Sequence, residues 1–490
     1  MNSNNLVKIN PVMVFFIFIF VFLMFFFTVI HPITIISGDD WKGLSLSRAA
    51  YPQWHGFNPI KVVPELLLPF VGYFSSFLLK PFGVNFFFGI AVITAFVTSS
   101  IVTFFLIQLH LFLKEKIATD SRLSLIITSI VFLYFFGMFK STDNSPYLLW
   151  EINLTCYYHY VLPALMNGSF VIYLMRKDVN NTFCSRLLNG EPLFLVLVTY
   201  LCVFSSIFAS IVLASYCGTK FLISILANIK CKSNIFRDNQ FNIFVLGVWF
   251  ISAVYEMNGG RASQIEESDL AIGKSISNLI HFLYGTDLLF GGFLIFSLII
   301  SVYFFSFGHG KKLPEIKNTY WVSVISWVFS FVALILVCAK ASPSYAGRPV
   351  AMWGVYMYPL LVTCIFISSA CKKNKWISTL LPLLVLCLLN KATSAKNTLM
   401  ESQNLNLTFA TAQDVGENII SQIIKAERDG QTSVVLHVPK GDDNDNWPFP
   451  IYMGSGISRT LLINGITKKE IEIKIYPDKN MNSEYNIPFK

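Results

Sequence analysis

Charge is what this sequence has least of. Of its 490 residues only 13% are charged, against 54% hydrophobic and 16% aromatic. A soluble domain is about a quarter charged. That shortage excludes a water-soluble enzyme, a disordered chain, a collagen and a nucleic-acid binder with a basic stripe. Other signatures are missing too: there is no phosphate-binding P-loop, no dinucleotide glycine fingerprint, no HExxH, no GxSxG and no C-x-x-C pair. Nothing therefore points to nucleotide-driven chemistry. The nine cysteines lie mainly inside apolar runs or beside Lys-rich loops, with Cys156 alone in an expected outer loop. They show neither a disulfide framework nor metal-ligand spacing.

What is present is long apolar sequence, rich in the 47 phenylalanines. A bilayer-crossing helix needs about 20 predominantly apolar residues. The candidate spans are Pro11–Ile30, Asn85–Leu113, Leu123–Phe139, Tyr158–Met175, Leu193–Ala209, Ile211–Ile229, Phe241–Met257, Leu283–Phe307, Tyr320–Ala339, Val350–Ala370 and Trp376–Asn390. Pro11–Ile30 reads as an anchor, being long for a signal-peptide core and lacking a small-residue cleavage site. The stretch Val62–Leu79 carries Pro64, Glu65, Pro69 and Gly72. It is expected to be interfacial or re-entrant instead of a span.

Charge then orients the chain. Of 37 basic and 28 acidic residues, 11 and 12 lie from Lys391 onward, leaving 26 and 16 in the first 390. Five loops carry three positive charges each, including Lys114/Lys116/Arg122 and Lys372/Lys373/Lys375. With eleven spans all five fall on one side, which the positive-inside rule makes cytoplasmic. The expected fold class is an α-helical polytopic membrane protein of about eleven transmembrane helices (residues 1–390, first outer loop about 31–83), followed by a small α/β module (391–490) on the outer side. The module is expected to hold helices over Thr411–Arg428 and Ser455–Asn464 and strands over Thr432–Val438 and Glu470–Tyr476.

Acids are scarce enough to weigh singly. Ser37-Gly38-Asp39-Asp40-Trp41 sets two adjacent carboxylates beside a tryptophan just beyond the first span. Neighbouring like charge and a low-dielectric interface both raise a carboxyl pKa, which suits a general base for a hydroxyl. The bland alternative is a helix N-cap. Arg48, Trp54 and His55 follow in the same loop, and Trp41 or Trp54 could stack on a sugar face. A second cluster is Trp150-Glu151, with Tyr157-Tyr158-His159-Tyr160 after it. Here Glu151 and His159 could orient a polar substrate, against a plain aromatic belt. A third is Ser342-Pro343-Ser344-Tyr345-Ala346-Gly347-Arg348-Pro349. Arg348 suits bidentate phosphate binding, Tyr345 is a neighbouring substrate candidate, and Arg261 after Asn258-Gly259-Gly260 is a parallel phosphate ligand. Their alternative is snorkelling to lipid headgroups.

This layout resembles the GT-C superfamily of membrane glycosyltransferases, with many spans and an acid in the first outer loop. More narrowly, Gly38-Asp39-Asp40-Trp41, Trp54-His55-Gly56 and the outer tail resemble the serotype-converting O-antigen glucosyltransferases of enteric bacteria and their phages. The resemblance implies an undecaprenyl phosphate glucose donor, supplied by a separate synthase and flippase. It implies a lipid-linked O-antigen acceptor, transfer with inversion at the periplasmic face of the bacterial inner membrane, and no cofactor or metal. Its layout favours Asp40 over Asp39 as the base; the residue chemistry alone does not separate them. Rival readings are another GT-C transferase with a different sugar or acceptor, a lipid-linked sugar flippase, and an O-antigen polymerase. The last would be expected to carry a large Arg-rich middle loop, which is missing.

Overall fold

The computed structural model describes residues 10–45, 60–138, 154–177, 179, 191–228, 235–258, 271–308, 310, 313–393, 399–401, 405–441 and 453–487. It is overwhelmingly helical, and among the described residues eight helices are long and apolar enough to cross a membrane. The chain is a polytopic helical membrane protein. In order, the bundle consists of α1 (Pro11–Phe25), α2 (Gly38–Leu44), α3 (Val62–Tyr73), α4 (Phe86–Glu115), α5 (Ser121–Gly137), α6 (Leu154–Cys156) and α7 (Leu162–Lys177). There follow α8 (Glu191–Val203), α9 (Ile207–Asn228), α10 (Ile235–Asp238), α11 (Gln240–Asn258), α12 (Ile272–Tyr284), α13 (Leu288–Ser306), α14 (Pro314–Ala341), α15 (Trp353–Lys373) and α16 (Lys375–Thr393).

Lipid and protein faces separate cleanly. In α15, 94% of the apolar window is buried, so this helix runs through the centre of the bundle, whereas in α16 the figure is 11%. Packing between the helices depends on small residues. A Cβ at Gly168 of α7 would meet the ring of Trp353 at 2.8 Å, and one at Gly354 would meet Ser330 Oγ at 2.6 Å. One end of the bundle is tied by Arg176, which donates to Glu115 at 2.8 and 3.1 Å and to Gln108 at 2.6 Å. Lys372 reaches the carbonyl of Ile117 at that end too.

The opposite end carries α2 and is called the site end below. The helix at Val62–Phe82 begins there. The Val62 amide donates to the carbonyl of Phe204, between α8 and α9, at 3.2 Å. It also finishes there: Phe82 is three residues before Asn85, the N-cap of α4, and Ser75 Oγ donates to Phe86 O at 2.8 Å. By length and composition this helix could cross a membrane. Both its ends lie on one side of the bundle, because Pro69 and a π-helical turn (Phe74–Leu79) leave it packed along the top of α4.

After α16 the chain forms β1 (Leu399–Glu401) antiparallel to β2 (Leu405–Leu407), then α17 (Phe409–Arg428), β3 (Ser433–Pro439), α18 (Gly454–Ile463), β4 (Glu472–Asp478) and α19 (Lys479–Glu484). Strands β3 and β4 pair in parallel, His437 opposite Tyr476. The expected helices and strands of this segment lie within two residues of α17, β3, α18 and β4; the β1–β2 pair and α19 were not expected. Helices α17 and α18 bury Ile419, Ile423, Ile457 and Leu461 against Leu436, Val438 and Ile473. They also face the bundle. Asn85 Nδ2 donates to Glu417 Oε1 at 2.6 Å, and Thr460 Oγ1 donates to Trp41 O at 2.7 Å.

Gly454 shows how tightly this segment is built. A Cβ there would stand 2.0 Å from the carbonyl oxygen of Ile473, an overlap that only backbone movement relieves. Gly454→Ala is expected to destabilise the C-terminal segment by about 1–3 kcal/mol. Limited proteolysis should then cut within residues 405–487 earlier than in the parent; unchanged cleavage would contradict the packing described.

Candidate functional site

The site-end segment after α1 is compact. A π-helical turn (Phe26–Ile30) closes α1, and His31 stacks on Phe26 with ring centroids 5.0 Å apart. Ile33, Ile35 and Ile36 are then buried. Ser37 is the N-cap of α2 and Asp40 is its third residue, the arrangement of a capping box. Asp40 Oδ2 accepts from the amides of Ile36 and Ser37, both at 3.0 Å. Its Oδ1 accepts from the amide of Thr155 in α6 at 2.7 Å. Asp40 is 0% exposed. Burial pushes its carboxyl pKa upward, while the hydrogen bonds from Ile36, Thr155 and Ser37 pull it back.

That geometry changes the roles expected of the acidic pair. Asp40, favoured as the base, is sealed inside and spent on backbone amides, so it acts as a latch between the loop after α1 and α6. Asp39, one residue earlier and about 100° round the helix, is exposed. Trp41 is also corrected: it is 0% exposed and packs edge-on to Phe87 at 5.8 Å, so it offers no sugar face. Gly43 seats α2 on its neighbour, since a Cβ there would overlap Leu68 of α3 at 2.3 Å.

Helix α6 continues through a π-helical turn (Tyr157–Val161) into α7. π-Turns are uncommon and gather at functional sites. The three among the described residues, at 26–30, 74–79 and 157–161, all lie at the site end. Five residues beyond Thr155, Tyr160 OH donates to Tyr345 OH at 3.3 Å. Tyr345 is buried, stacks on Phe208 at 5.1 Å, and carries the guanidinium of Arg348 over its ring at 4.8 Å. Tyr345 is thus a floor beneath Arg348, and Arg348 itself is exposed. His159 is half-buried in the same π-turn.

The span expected from Val350 starts later. Residues Pro343–Gly347 and Pro349–Ala351 form two 3₁₀ turns, and α15 begins at Trp353. Trp327 Nε1 donates to Val355 O at 3.0 Å, and Gly354 abuts Ser330. The top of α15 therefore lies about eleven residues, roughly 16 Å, below the top of α14. This leaves a step at the site end, with Arg348 on the descending chain. Arg348 precedes a three-residue turn and stands five residues before the start of α15.

The structure thus brings Asp39, Asp40, His159, Tyr345 and Arg348 to one end, joined by residues 154–161. Arg48, Trp54, His55, Glu151 and Arg261 fall outside the described residues. No group of three or more potential metal ligands occurs among the described residues. Sequence reasoning did not single out Thr155, Phe208 or Thr460, because an amide donor, an apolar floor and a distant hydroxyl carry no local signature. Compared with protein-family models, curated proteins and solved structures, the chain matches none.

Removing the Asp40 carboxylate strands buried amide donors, each worth about 1–3 kcal/mol. Asp40→Ala should therefore lower stability by about 3 kcal/mol, whereas Asp39→Asn should change it by no more than about 0.5 kcal/mol. Thermal unfolding of the purified protein in nanodiscs checks this, and equal melting of the two variants would contradict the latch.

Proposed function

We propose that this chain is a membrane-embedded glucosyltransferase, moving glucose from undecaprenyl phosphate glucose to a hydroxyl of lipid-linked O-antigen. The observation that supports it most is the shared address of an exposed carboxylate and an exposed guanidinium. Asp39 rides on a helix pinned through Asp40 to Thr155, and Arg348 lies on Tyr345, held by Tyr160 of the same helical segment. In this reading eleven spans carry the chain across a bacterial inner membrane. The N-terminus is cytoplasmic, and the site end and C-terminal segment are periplasmic. The prenyl chain lies between helices, with Val62–Phe82 as its outer wall.

The chemistry then follows from the residues. Asp39 accepts the proton of the acceptor hydroxyl as its oxygen attacks the anomeric carbon. The bond from that carbon to the phosphate oxygen breaks, and its electron pair leaves with the lipid phosphate. Attack opposite the leaving group inverts the anomeric centre through an oxocarbenium-like transition state. Arg348 offsets the charge that grows on the departing phosphate. Asp40 does not touch substrate; it fixes the direction in which Asp39 points.

Purified protein in proteoliposomes, given radiolabelled undecaprenyl phosphate glucose and lipid-linked O-antigen, tests the reading. Asp39→Asn is expected to cut transfer about a hundredfold or more with its melting temperature intact. Arg348→Ala is expected to raise the KM for donor more than that for acceptor. Transfer retained by Asp39→Asn would contradict the assignment of the base.

A further inference from the structure

Helix α12 (Ile272–Tyr284) has three faces where a soluble helix has two. Ser275, Leu279 and Phe282 are buried within the bundle. Lys274, Ser277 and His281 form an exposed polar sector. Between them runs a third sector of Ile272, Ile276, Ile280, Leu283 and Tyr284, which are 37%, 39%, 49%, 37% and 79% exposed. An exposed row of three isoleucines and a leucine, flanked by polar residues, is not a surface that water stabilises.

The position of the helix identifies what covers that row. Its start is tied to the top of α14, the Ala271 amide donating to Ala339 O at 3.2 Å. Its middle is tied to the step, Asn278 Nδ2 donating to Pro343 O at 2.9 Å. Its end is tied to α5 and α15, the Asp287 amide donating to Met138 O at 2.9 Å and Thr286 Oγ1 lying 3.2 Å from Tyr356 OH. The partners of its start and end flank the step, so α12 descends obliquely along it, from the top of α14 towards the top of α15. Its apolar row runs on into the outward face of α13, where Leu288, Ile295, Phe296 and Ile299 are 82%, 60%, 62% and 66% exposed.

We propose that α12 is a lipid-surface helix. Its isoleucine row enters the phospholipid monolayer at the site end, and Lys274, Ser277 and His281 remain in the headgroup layer and water. Through Asn278 this contact sets the height of the Pro343–Gly347 turn, and so of Arg348, relative to the headgroups. The inference needs only the multi-span character of the chain, and it stands or falls apart from the transferase reading.

The test is a depth measurement on the full-length protein in phospholipid nanodiscs. A fluorescent amino acid is placed by codon suppression at Ile276, Ile280, Ser277 or His281, one site at a time. All four positions are exposed or border exposed surface, so the fold is retained. Brominated phospholipid should quench Ile276 and Ile280 several-fold more than Ser277 and His281, and aqueous iodide should show the reverse order. Equal quenching at the four sites would overturn the proposal. So would isoleucine sites shielded from both quenchers, which would mean that protein covers the row.

Discussion

A carboxylate closed off from water must find its hydrogen bonds within the protein, and at Asp40 they come from three backbone amides. Two belong to the chain just before α2 and one to α6, a segment 115 residues later. The side chain therefore does the work of a cross-link. It holds the start of α2 against the helical segment that becomes α7, and it leaves the adjacent Asp39 facing outward. A buried carboxylate so placed is costly to keep unless its acceptor positions are used.

From that point the rest of the site end can be traced by contact. Trp41 fills the space against Phe87, and its carbonyl is claimed by Thr460, so the C-terminal segment rests directly on α2. The other end of the 154–161 segment reaches Tyr345, whose ring supports Arg348. The irregular turns between α14 and α15 give Arg348 its place. Non-helical backbone at this position survives only because Tyr345, Ala346, Val350 and Ala351 are buried by their neighbours. In the proposed transferase, the two exposed charges are the reactive ones and the buried groups hold them in place.

Much of this architecture was legible beforehand, and the reasons differ by element. Most apolar runs show through their length, although length alone would also make Val62–Phe82 a crossing helix. The C-terminal helices and strands show through alternation and amphipathic spacing. The contents of the site were harder. Asp39 and Asp40 are neighbours with the same chemistry, and only the direction of the bundle, a tertiary fact, decides which is buried. Trp41 read as a platform for a sugar face because nothing local announces Phe87 and Thr460. Helix α12 was hidden for another reason: Leu283 and Tyr284 at its end adjoin the apolar sequence of α13, so the two merge in a hydropathy reading until Gly285 and the Asp287 cap divide them.

The division of labour between the two acids is the claim on which the account rests, and carboxyl footprinting reads it directly. The native protein in nanodiscs would be treated with a water-soluble carbodiimide and an amine label, and the two positions resolved by tandem mass spectrometry. Label is expected on Asp39, with Asp40 protected until the protein is unfolded. Modification of Asp40 as readily as Asp39 in the folded protein would contradict the claim.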